Sequence, residues 1–384
     1  MDVIFTIIAV LFLNAFLIKV FRQRFNILSE SYLWLLFSVH VLLSAVYIFY
    51  ASATTSDSYQ YFRIASTTAQ WFSLWDTSTQ FIYFLGWPFA YLFGLSYLSC
   101  MVIFSYLGFL GITFFYITAR ENIKLPPFWL NLTLIELIFL LPNLHFWSSS
   151  YGKGSVIVFG LGALALGLSR VNRRYITMIL GGLVVFMVRP HILLTVVISV
   201  MLALLLTGKG IKNYMRWLIF IVCALVFYYI SDEVVEVTDV EGFNVFGSES
   251  LQHRAAELGK ASSGFDINEY GFFFRMFTFW FRPLFFDGQG LMGLFVSFEN
   301  LLYLFLFYVV IKSGIVNWKN YNGYFRICLF VFLFGSIALA QVTGNLGIAI
   351  RQKAQLMPFF FILYLKAVEI RATLFTQYAI KRSA

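Results

Sequence analysis

The sequence is poor in charged residues. Of its 384 residues only 12% are charged, whereas 60% are hydrophobic and 20% are aromatic. A soluble domain carries about 25% charged residues, so this composition excludes an ordinary soluble protein. Long apolar runs recur along the whole chain and leave no room for a separate soluble domain. The sequence therefore predicts a single integral membrane domain over residues 1–384, folded as an all-α polytopic bundle.

Cysteine and histidine are scarce as well. The three cysteines stand singly in apolar segments, and the four histidines are dispersed. Because no CxxC, HxH or HExxH spacing occurs, the sequence indicates neither a disulfide framework nor a zinc site. We predict that the protein needs no cofactor, with a divalent metal beside a catalytic carboxylate as the open alternative.

The net charge of +9 reflects the placement of lysine and arginine beside the apolar runs. In a soluble protein this excess would raise the question of nucleic acid. Here most of the 27 basic residues fall in short loops that become cytoplasmic when the N-terminus is placed outside and the C-terminus inside. The first apolar run has an acidic start and its basic cluster after it, which is the reverse of a signal peptide, so we predict a retained helix. The charge thus indicates topology and lipid contact, and no nucleic-acid partner.

The apolar runs and basic loops together predict about eleven membrane spans. These lie at residues 3–18, 31–51, 97–118, 128–146, 154–169, 175–188, 191–207, 216–231, 291–311, 326–343 and 354–370. Two further apolar stretches are interrupted by glycine, proline or arginine. We predict that 81–95 is a re-entrant or juxtamembrane element on the outer side and that 272–286 lies along the outer interface. Residues 52–96 then form an outer juxtamembrane segment, and residues 231–290 form an outer loop and interfacial segment. Residues 231–270 carry half of the 18 acidic residues.

Basic residues on the predicted outer side need a reason other than topology. They are Arg63, Lys153, Arg189, Arg254, Lys260, Arg275, Arg282, Arg351 and Lys353, and several of them stand beside glycine or proline. A cluster of cations at the outer mouth of a bundle is suited to the phosphate of a membrane-embedded carrier. The alternative is that each side chain snorkels to lipid headgroups.

Lys153 opens a predicted helix with a glycine on either side, where free backbone N–H groups also favour an anion. The sequence GKGS at 152–155 lacks the earlier glycine of a nucleotide-binding loop, and this excludes nucleotide hydrolysis of that type.

Asp57 is the leading candidate for a catalytic carboxylate. It follows the span 31–51 at its outer end and begins an amphipathic stretch that contains Tyr59 and Tyr61. A carboxylate in this position can deprotonate a hydroxyl group of an acceptor. An aspartate before a helical pattern is also an ordinary helix cap, and that alternative stays open. Glu136 and Glu299 lie in or at the start of apolar spans, where a carboxylate is paired or functional.

The order of these features resembles that of a known family. An outer-loop aspartate with a tyrosine-rich amphipathic helix is followed by a Gly/Pro-broken apolar element, by HFWSSSYGKGSVIVFGLG, and by an Arg-Pro between two short helices. This order resembles bacterial GT-C superfamily glycosyltransferases, related in layout to the protein mannosyltransferase and lipid A aminoarabinose transferase group. The segments FWFRPLFFD, VSFENLLYL and NLGIAIRQKAQLMPFFF resemble exopolysaccharide and O-antigen polymerases, and the resemblance covers about residues 52–365.

The resemblance implies an enzyme of polysaccharide biosynthesis in a bacterial inner membrane. Such an enzyme transfers a sugar or oligosaccharide from a polyprenyl-phosphate or diphosphate donor to an acceptor glycan or lipid at the outer face, as a polysaccharide polymerase does. By this resemblance Asp57 is the base, and the substrate-binding residues are Lys153, Arg189, His191, Arg282, Arg351, Lys353, Tyr59 and Tyr61.

One departure from the family bears on the leaving group. The loop HFWSSSYGK carries a lysine and none of the further acidic residues of the mannosyltransferase-like enzymes. This argues against a metal and favours a cation-bound diphosphate. The alternatives are a flippase or transporter of lipid-linked glycan and a non-catalytic subunit of a synthesis complex, and polysaccharide assembly or export proteins are further expected partners.

Overall fold

Most apolar runs of the sequence fold as helices. The computed structural model describes residues 1–54, 56–206, 270–287, 290–314 and 318–383, with a few isolated positions between 214 and 225. The chain forms two units, Met1–Pro190 (unit 1) and His191–Ala384 (unit 2). The predicted span 216–231 and most of the outer loop 231–290 lie outside the described residues. The prediction of a single membrane domain stays a prediction.

Unit 1 consists of nine described α-helices, a short 3₁₀ helix (Trp71–Leu74), a π-helical turn (Pro88–Leu92) and one small hairpin. The helices are α1 (Asp2–Arg24), α2 (Glu30–Ala53), α3 (Asp57–Thr67), α4 (Thr79–Trp87), α5 (Tyr97–Asn122), α6 (Leu134–Ile138), α7 (Pro142–Trp147), α8 (Lys153–Ser169) and α9 (Val171–Val188). Strands β1 (Pro127–Trp129) and β2 (Leu132–Thr133) pair antiparallel. Serine caps begin several of these helices: the side chains of Ser29, Ser56 and Ser96 accept hydrogen bonds from the first-turn N–H groups of α2, α3 and α5.

Unit 2 has five described α-helices: α10 (Pro190–Leu206), α11 (Phe272–Phe281), α12 (Gly290–Gly314), α13 (Gly323–Val342) and α14 (Leu346–Ser383). Helix α14 packs against α11, α12 and α13, and every side chain from Ala354 to Leu365 is buried. Pro358 lies inside this helix. Because α14 begins at Leu346, Arg351 and Lys353 lie within the helix and not in a loop before it.

Among the described residues, six helices are long and apolar enough to cross a membrane: α1, α2, α5, α9, α12 and α13. Their outward faces carry large apolar side chains, such as Phe12 and Phe49, which are 74% and 76% exposed. Contiguous exposure of this kind is unfavourable in water and is typical of a lipid-facing surface. The chain is an all-α integral membrane protein. The eleven spans and the GT-C fold remain predictions.

The prediction of a continuous helix over 128–146 is wrong. The segment begins with the β1–β2 hairpin, in which Leu130 and Asn131 have positive φ, and continues as the short helices α6 and α7. Pro127 lies in β1, and Pro142 starts a new helix at the position where it can dispense with its N–H group. Glu136 forms a capping box with Thr133 and accepts a hydrogen bond from the Tyr116 hydroxyl, so its role is structural pairing.

The broken segment nevertheless runs the length of α2. The Tyr32 hydroxyl near the start of α2 donates to the Glu136 carbonyl oxygen at 2.8 Å. Further along, His40 contacts His145, and near the end of α2 the Tyr47 ring packs on Phe146 with centroids 5.1 Å apart. Composition alone predicts an apolar crossing here, and the prolines divide it into pieces.

Glycine permits the close packing of α5, α8 and α9. A Cβ atom on Gly162 of α8 would lie 2.3 Å from the Gly111 carbonyl oxygen of α5, and one on Gly181 of α9 would lie 2.5 Å from the Leu164 nitrogen. Backbones approach this closely only where side chains are absent, as is common between membrane helices. Helix α8 is therefore held between α5 and α9 by backbone contact.

Unit 1 has two distinct ends, which we name by one residue each. At the Arg120 end, Arg24, Arg120 and Arg170 from the C-terminal ends of α1, α5 and α8 line one pocket. At the Lys153 end, the backbone N–H of Ser96 before α5 donates to Asp2 of α1 at 2.8 Å, and α8 begins at Lys153. The structure thus brings these three arginines to one end of unit 1, and the cytoplasmic placement of that end stays a prediction.

Candidate functional site

Asp57 is the first residue of α3, at the Lys153 end of unit 1. The cap of this helix is Ser56, whose Oγ accepts from the Ser58 N–H at 3.4 Å, so the cap position that sequence reasoning left open for Asp57 is filled by its neighbour. The Asp57 side chain is exposed. Ser58 behind it is buried and bonds to the Tyr97 hydroxyl at 2.7 Å, which fixes the first turn of α3 against α5. The fold thus exposes the carboxylate at the surface of unit 1 on an anchored turn.

Two of the predicted tyrosines lie on opposite faces of α3. Tyr61 is buried, with its ring 5.7 Å from that of Tyr83 on α4 and so close to Gly152 that a Cβ atom there would lie 3.1 Å away. Tyr59 is 63% exposed and packs edge-to-face on Tyr97. Burial, together with the negative charge of Asp57, raises the pKa of Tyr83. Tyr61 therefore connects the Asp57 helix directly to the start of α8.

Lys153 occupies the first position of α8 and is half-buried. Its Nζ donates to the Ser78 Oγ at 2.8 Å, and the Ser78 N–H donates to the Met187 carbonyl oxygen at 2.7 Å. Ser78 has a φ of 62°, which is strained for a residue with a side chain. Arg189 follows Met187 by two residues, at the C-terminal end of α9. The structure thus brings Lys153 and the backbone of Arg189 to the end of unit 1 that carries Asp57.

Three buried polar groups in the segment that precedes α8 have no hydrogen-bond partner. They are the Trp147 Nε1, the Ser150 Oγ and the Tyr151 hydroxyl. The Ser150 Oγ lies 3.2 Å from the position of a Cβ atom on Gly154, beside the first turn of α8, and Gly152 supplies no side-chain cap to that turn. Buried donors are nearly always satisfied by protein, water or ligand. The first turn of α8 therefore combines the Lys153 cation with one unpartnered hydroxyl group, that of Ser150.

Sequence reasoning missed two polar residues at this end. Asp76 is exposed and stands two residues before Ser78, and its Oδ1 accepts from the Thr77 N–H at 2.6 Å. Ser78 itself holds the Lys153 ammonium. Neither residue stands in a recognisable pattern, and only the fold of the segment between α3 and α4 places them opposite α8.

In unit 2, Lys353 is buried within the helices. Its side chain is only 2% exposed, and its Nζ donates to the Trp280 carbonyl oxygen at 2.9 Å and to the Asn300 Oδ1 at 2.6 Å. The ammonium also lies 5.5 Å from the ring centre of Tyr303, whose hydroxyl donates to Glu299. These contacts join α14 to α11 and α12 and account for a lysine in an apolar interior.

The other predicted residues of unit 2 are half-buried. Arg282 forms an ion pair with Asp287 and donates to the Tyr270 hydroxyl at 3.2 Å. Arg351 lies near the beginning of α14, and His191 near the beginning of α10. The predicted interfacial stretch 272–286 forms α11, which ends immediately before Arg282. Substrate binding by these residues stays a prediction.

A polar cluster that the sequence did not reveal lies inside unit 1. The Nδ1 atoms of His40 and His145 are 3.1 Å apart, and both rings are at most 1% exposed. The remaining ring nitrogens lie 3.0 Å from the Ser105 carbonyl oxygen and 2.8 Å from the Phe139 carbonyl oxygen. Ser44 joins the cluster through hydrogen bonds to Ser105 and Ser149.

Comparison of the chain with protein-family models, with curated protein sequences and with solved structures gives no match.

Proposed function

We propose that this protein is a GT-C-type membrane glycosyltransferase that uses a polyprenyl-phosphate or diphosphate donor and acts as a polysaccharide polymerase. One observation carries the proposal: an exposed carboxylate, Asp57, and the half-buried cation Lys153 lie at the same end of unit 1. Tyr61 links them, because it belongs to the helix that Asp57 begins and packs against Gly152 beside Lys153. A transferase of this kind needs a base for the acceptor and a cation for the phosphate.

In the proposed reaction, Asp57 takes the proton of an acceptor hydroxyl group. The acceptor oxygen then attacks the anomeric carbon of the donor sugar, the bond from that carbon to the phosphate oxygen breaks, and the electron pair leaves with the phosphate. The proton remains on the Asp57 carboxyl group. The proposed reaction inverts the anomeric carbon, which requires attack opposite the leaving group. The base on α3 and the phosphate at the start of α8 would then lie on opposite sides of the sugar.

The first turn of α8 is the proposed phosphate site. Lys153 supplies a positive charge, the uncapped N–H groups of the turn supply donors, and the Ser150 Oγ is a buried donor without a partner. Charge that develops on the leaving oxygen is stabilised most by such fixed donors and cations. Arg189 adds a further cation at this end. In unit 2, Lys353 and Arg282 have structural contacts with neighbouring residues, and the proposal does not depend on these two residues.

The proposed setting is the bacterial inner membrane, with the N-terminus outside and the C-terminus in the cytoplasm. The Lys153 end then faces outward, where the acceptor glycan or lipid is met, and the arginine-rich Arg120 end faces the cytoplasm. Proteins of polysaccharide assembly and export are the proposed partners.

Asp57→Asn tests the proposal most directly. We expect it to lower transfer by about 10²- to 10⁴-fold, the usual contribution of a general base, with the protein inserted at normal level. The measurement is polymer formation, together with single repeat units on the lipid carrier, in cells that carry only the variant. Glu30→Gln, which removes an exposed carboxylate at the Arg120 end, is the matched control. Full polymer with Asp57→Asn would exclude the base.

A flippase for lipid-linked glycan is the second candidate, because a transporter needs polar residues deep in the membrane. The buried cluster of His40, Ser44, Ser105, His145 and Ser149 is the observation that favours it. The two candidates differ in where the lipid-linked units accumulate. In cells lacking a polymerase they are open to an added glycosidase at the outer face, whereas in cells lacking a flippase they are protected on the cytoplasmic side.

A further inference from the structure

The Arg120 end of unit 1 contains a pocket of about 480 Å³. It lies among the α1–α2 connection, the end of α5 with the residues that follow it, and the end of α8. A pocket of a few hundred Å³ is large enough for a small polar group such as a lipid headgroup. It is separate from the proposed transfer site, because Lys153 and Arg170 stand at opposite ends of the 17-residue helix α8, about 25 Å apart at 1.5 Å per residue.

The charge of the pocket is strongly positive. Four basic residues line it, Arg24, Arg120, Lys124 and Arg170, against one carboxylate, Glu121. Both oxygens of that carboxylate are bound by Arg174, whose Nη1 and Nη2 lie 2.6 Å and 2.7 Å away. The fork-to-fork geometry is the strongest form of this ion pair. Glu121 is therefore neutralised from outside the pocket, and the four basic residues determine its potential.

One hydrogen-bond donor of Arg120, its Nε, has no partner. Its Nη2 donates to the Ile27 carbonyl oxygen at 3.2 Å, which positions the guanidinium group across the α1–α2 connection. Its Nε is buried and has no hydrogen-bond partner. Snorkelling to bulk water does not account for a buried N–H, whereas a bound anion would satisfy it.

The wall of the pocket is partly apolar. Phe25 lines it and is 7% exposed, and the Arg174 guanidinium group lies 5.0 Å from the centre of its ring. Ile27, Ile123 and Leu125 also line the pocket. Basic side chains over apolar ones at the ends of membrane helices suit a ligand that has both a phosphate and an acyl chain.

We propose that this pocket binds a phosphate group, and that its occupant is the headgroup of an anionic phospholipid. Arg120 and Arg170 hold the phosphate oxygens, and Phe25 and Ile27 contact the glycerol and the first carbons of the acyl chains. The site is occupied from the membrane, so its ligand accompanies the protein through purification.

The test is native mass spectrometry of the full chain in detergent, titrated with phosphatidylglycerol. We expect Arg120→Gln and Arg170→Gln each to weaken binding by about fivefold, and the double variant by about thirtyfold, because each basic residue near a lipid phosphate contributes about 1 kcal/mol. Arg173→Gln removes an equal charge from an exposed position outside the pocket lining and is the matched control. Thermal unfolding of each variant verifies that the fold is kept, and Arg170→Gln serves if Arg120→Gln is unfolded.

A second arm distinguishes the source of the phosphate. Inorganic phosphate is added to the lipid-bound protein, with sodium chloride at equal ionic strength as reference. We expect both salts to displace phosphatidylglycerol to the same small extent. Displacement by inorganic phosphate at micromolar concentration would show that free phosphate is the occupant and overturn the headgroup assignment. Equal lipid binding by Arg170→Gln and Arg173→Gln would overturn the site itself.

Discussion

At the Arg120 end of unit 1, arginines from the C-terminal ends of three helices line a pocket, and the carboxylate that lines it, Glu121, is bound by a further arginine. At the Lys153 end, one lysine is held by a serine hydroxyl, a carboxylate stands exposed on a neighbouring helix, and buried donors have no partner. At the first end, the carboxylate of Glu121 is paired with the guanidinium group of Arg174. The second places a lysine beside a serine hydroxyl and an exposed carboxylate on a neighbouring helix at the same end, and our proposal assigns these two residues to group transfer.

The same three helices connect the two ends. Helices α5, α8 and α9 run from one end to the other, and their backbones touch at Gly111, Gly162 and Gly181. A membrane bundle without a hydrophobic driving force between its helices depends on such close packing. The two ends therefore share no side-chain contact that we describe, but they are connected by the same packed helices. A substitution at one end of α8 should change the function of that end, and a substitution in the middle of α8 should change both.

The largest effect on stability is expected from Gly162→Leu, which should impair the function of both ends. The new Cβ atom would lie 2.3 Å from the Gly111 carbonyl oxygen, so α8 must move away from α5. Overpacking against backbone costs about 3 kcal/mol or more, and both transfer and lipid binding should fall with it. Thermal unfolding in detergent measures the loss. Gly271→Leu is the control, because a side chain there meets no atom within 4 Å. Unchanged unfolding of Gly162→Leu would contradict the packing.

Lys153→Gln should affect the Lys153 end alone. Glutamine can still donate to the Ser78 Oγ but removes the charge, so we expect transfer to fall by about 10²-fold, as on loss of one electrostatic stabiliser, with unfolding and lipid binding unchanged. Lys153→Arg should restore part of the activity. Lys19→Gln, an exposed residue of α1, controls for the loss of charge. Activity of Lys153→Gln equal to that of Lys19→Gln would remove the phosphate role of this residue.

The sequence predicts the helices of these ends well where apolar length decides the structure. The predicted spans 31–51 and 154–169 are within two residues of α2 and α8. The prediction of a continuous helix over 128–146 is wrong because the hydrophobicity of a segment indicates that it lies in an apolar environment. It does not indicate whether the helix is continuous. Local geometry at Pro127, Asn131 and Pro142 decides that continuity.

Only part of the candidate site can be predicted from the sequence, because several of its contacts join residues that are far apart along the chain. Asp57 and Lys153 stand out in the sequence because charge is rare, and the fold places both at one end. Ser78, which binds Lys153, and the His40–His145 pair have no local signature, since their partners are 75 and 105 residues away in the chain. Contacts of that range depend on helix packing, which short sequence patterns do not encode.

The smallest effect is expected from Glu121→Gln, and it should act at the Arg120 end with opposite signs on stability and binding. Loss of the bidentate contact with Arg174, which is partly buried on both sides, should lower the free energy of unfolding by about 2 kcal/mol. The same change removes the only carboxylate among the residues that line the pocket and frees the Arg174 charge, so phosphatidylglycerol binding should become about fivefold tighter.

Glu30→Gln makes the same charge change in the exposed pair with Arg22, where solvent screening leaves little to lose, so both quantities should stay near their starting values. Measuring both unfolding and lipid binding distinguishes a structural role of the arginines at this end from a role in binding an anion. If they serve only to hold the helices, Glu121→Gln should weaken stability and lipid binding together, because a loosened pocket binds less. Only a pocket whose ligand is an anion gains affinity as its wall loses stability.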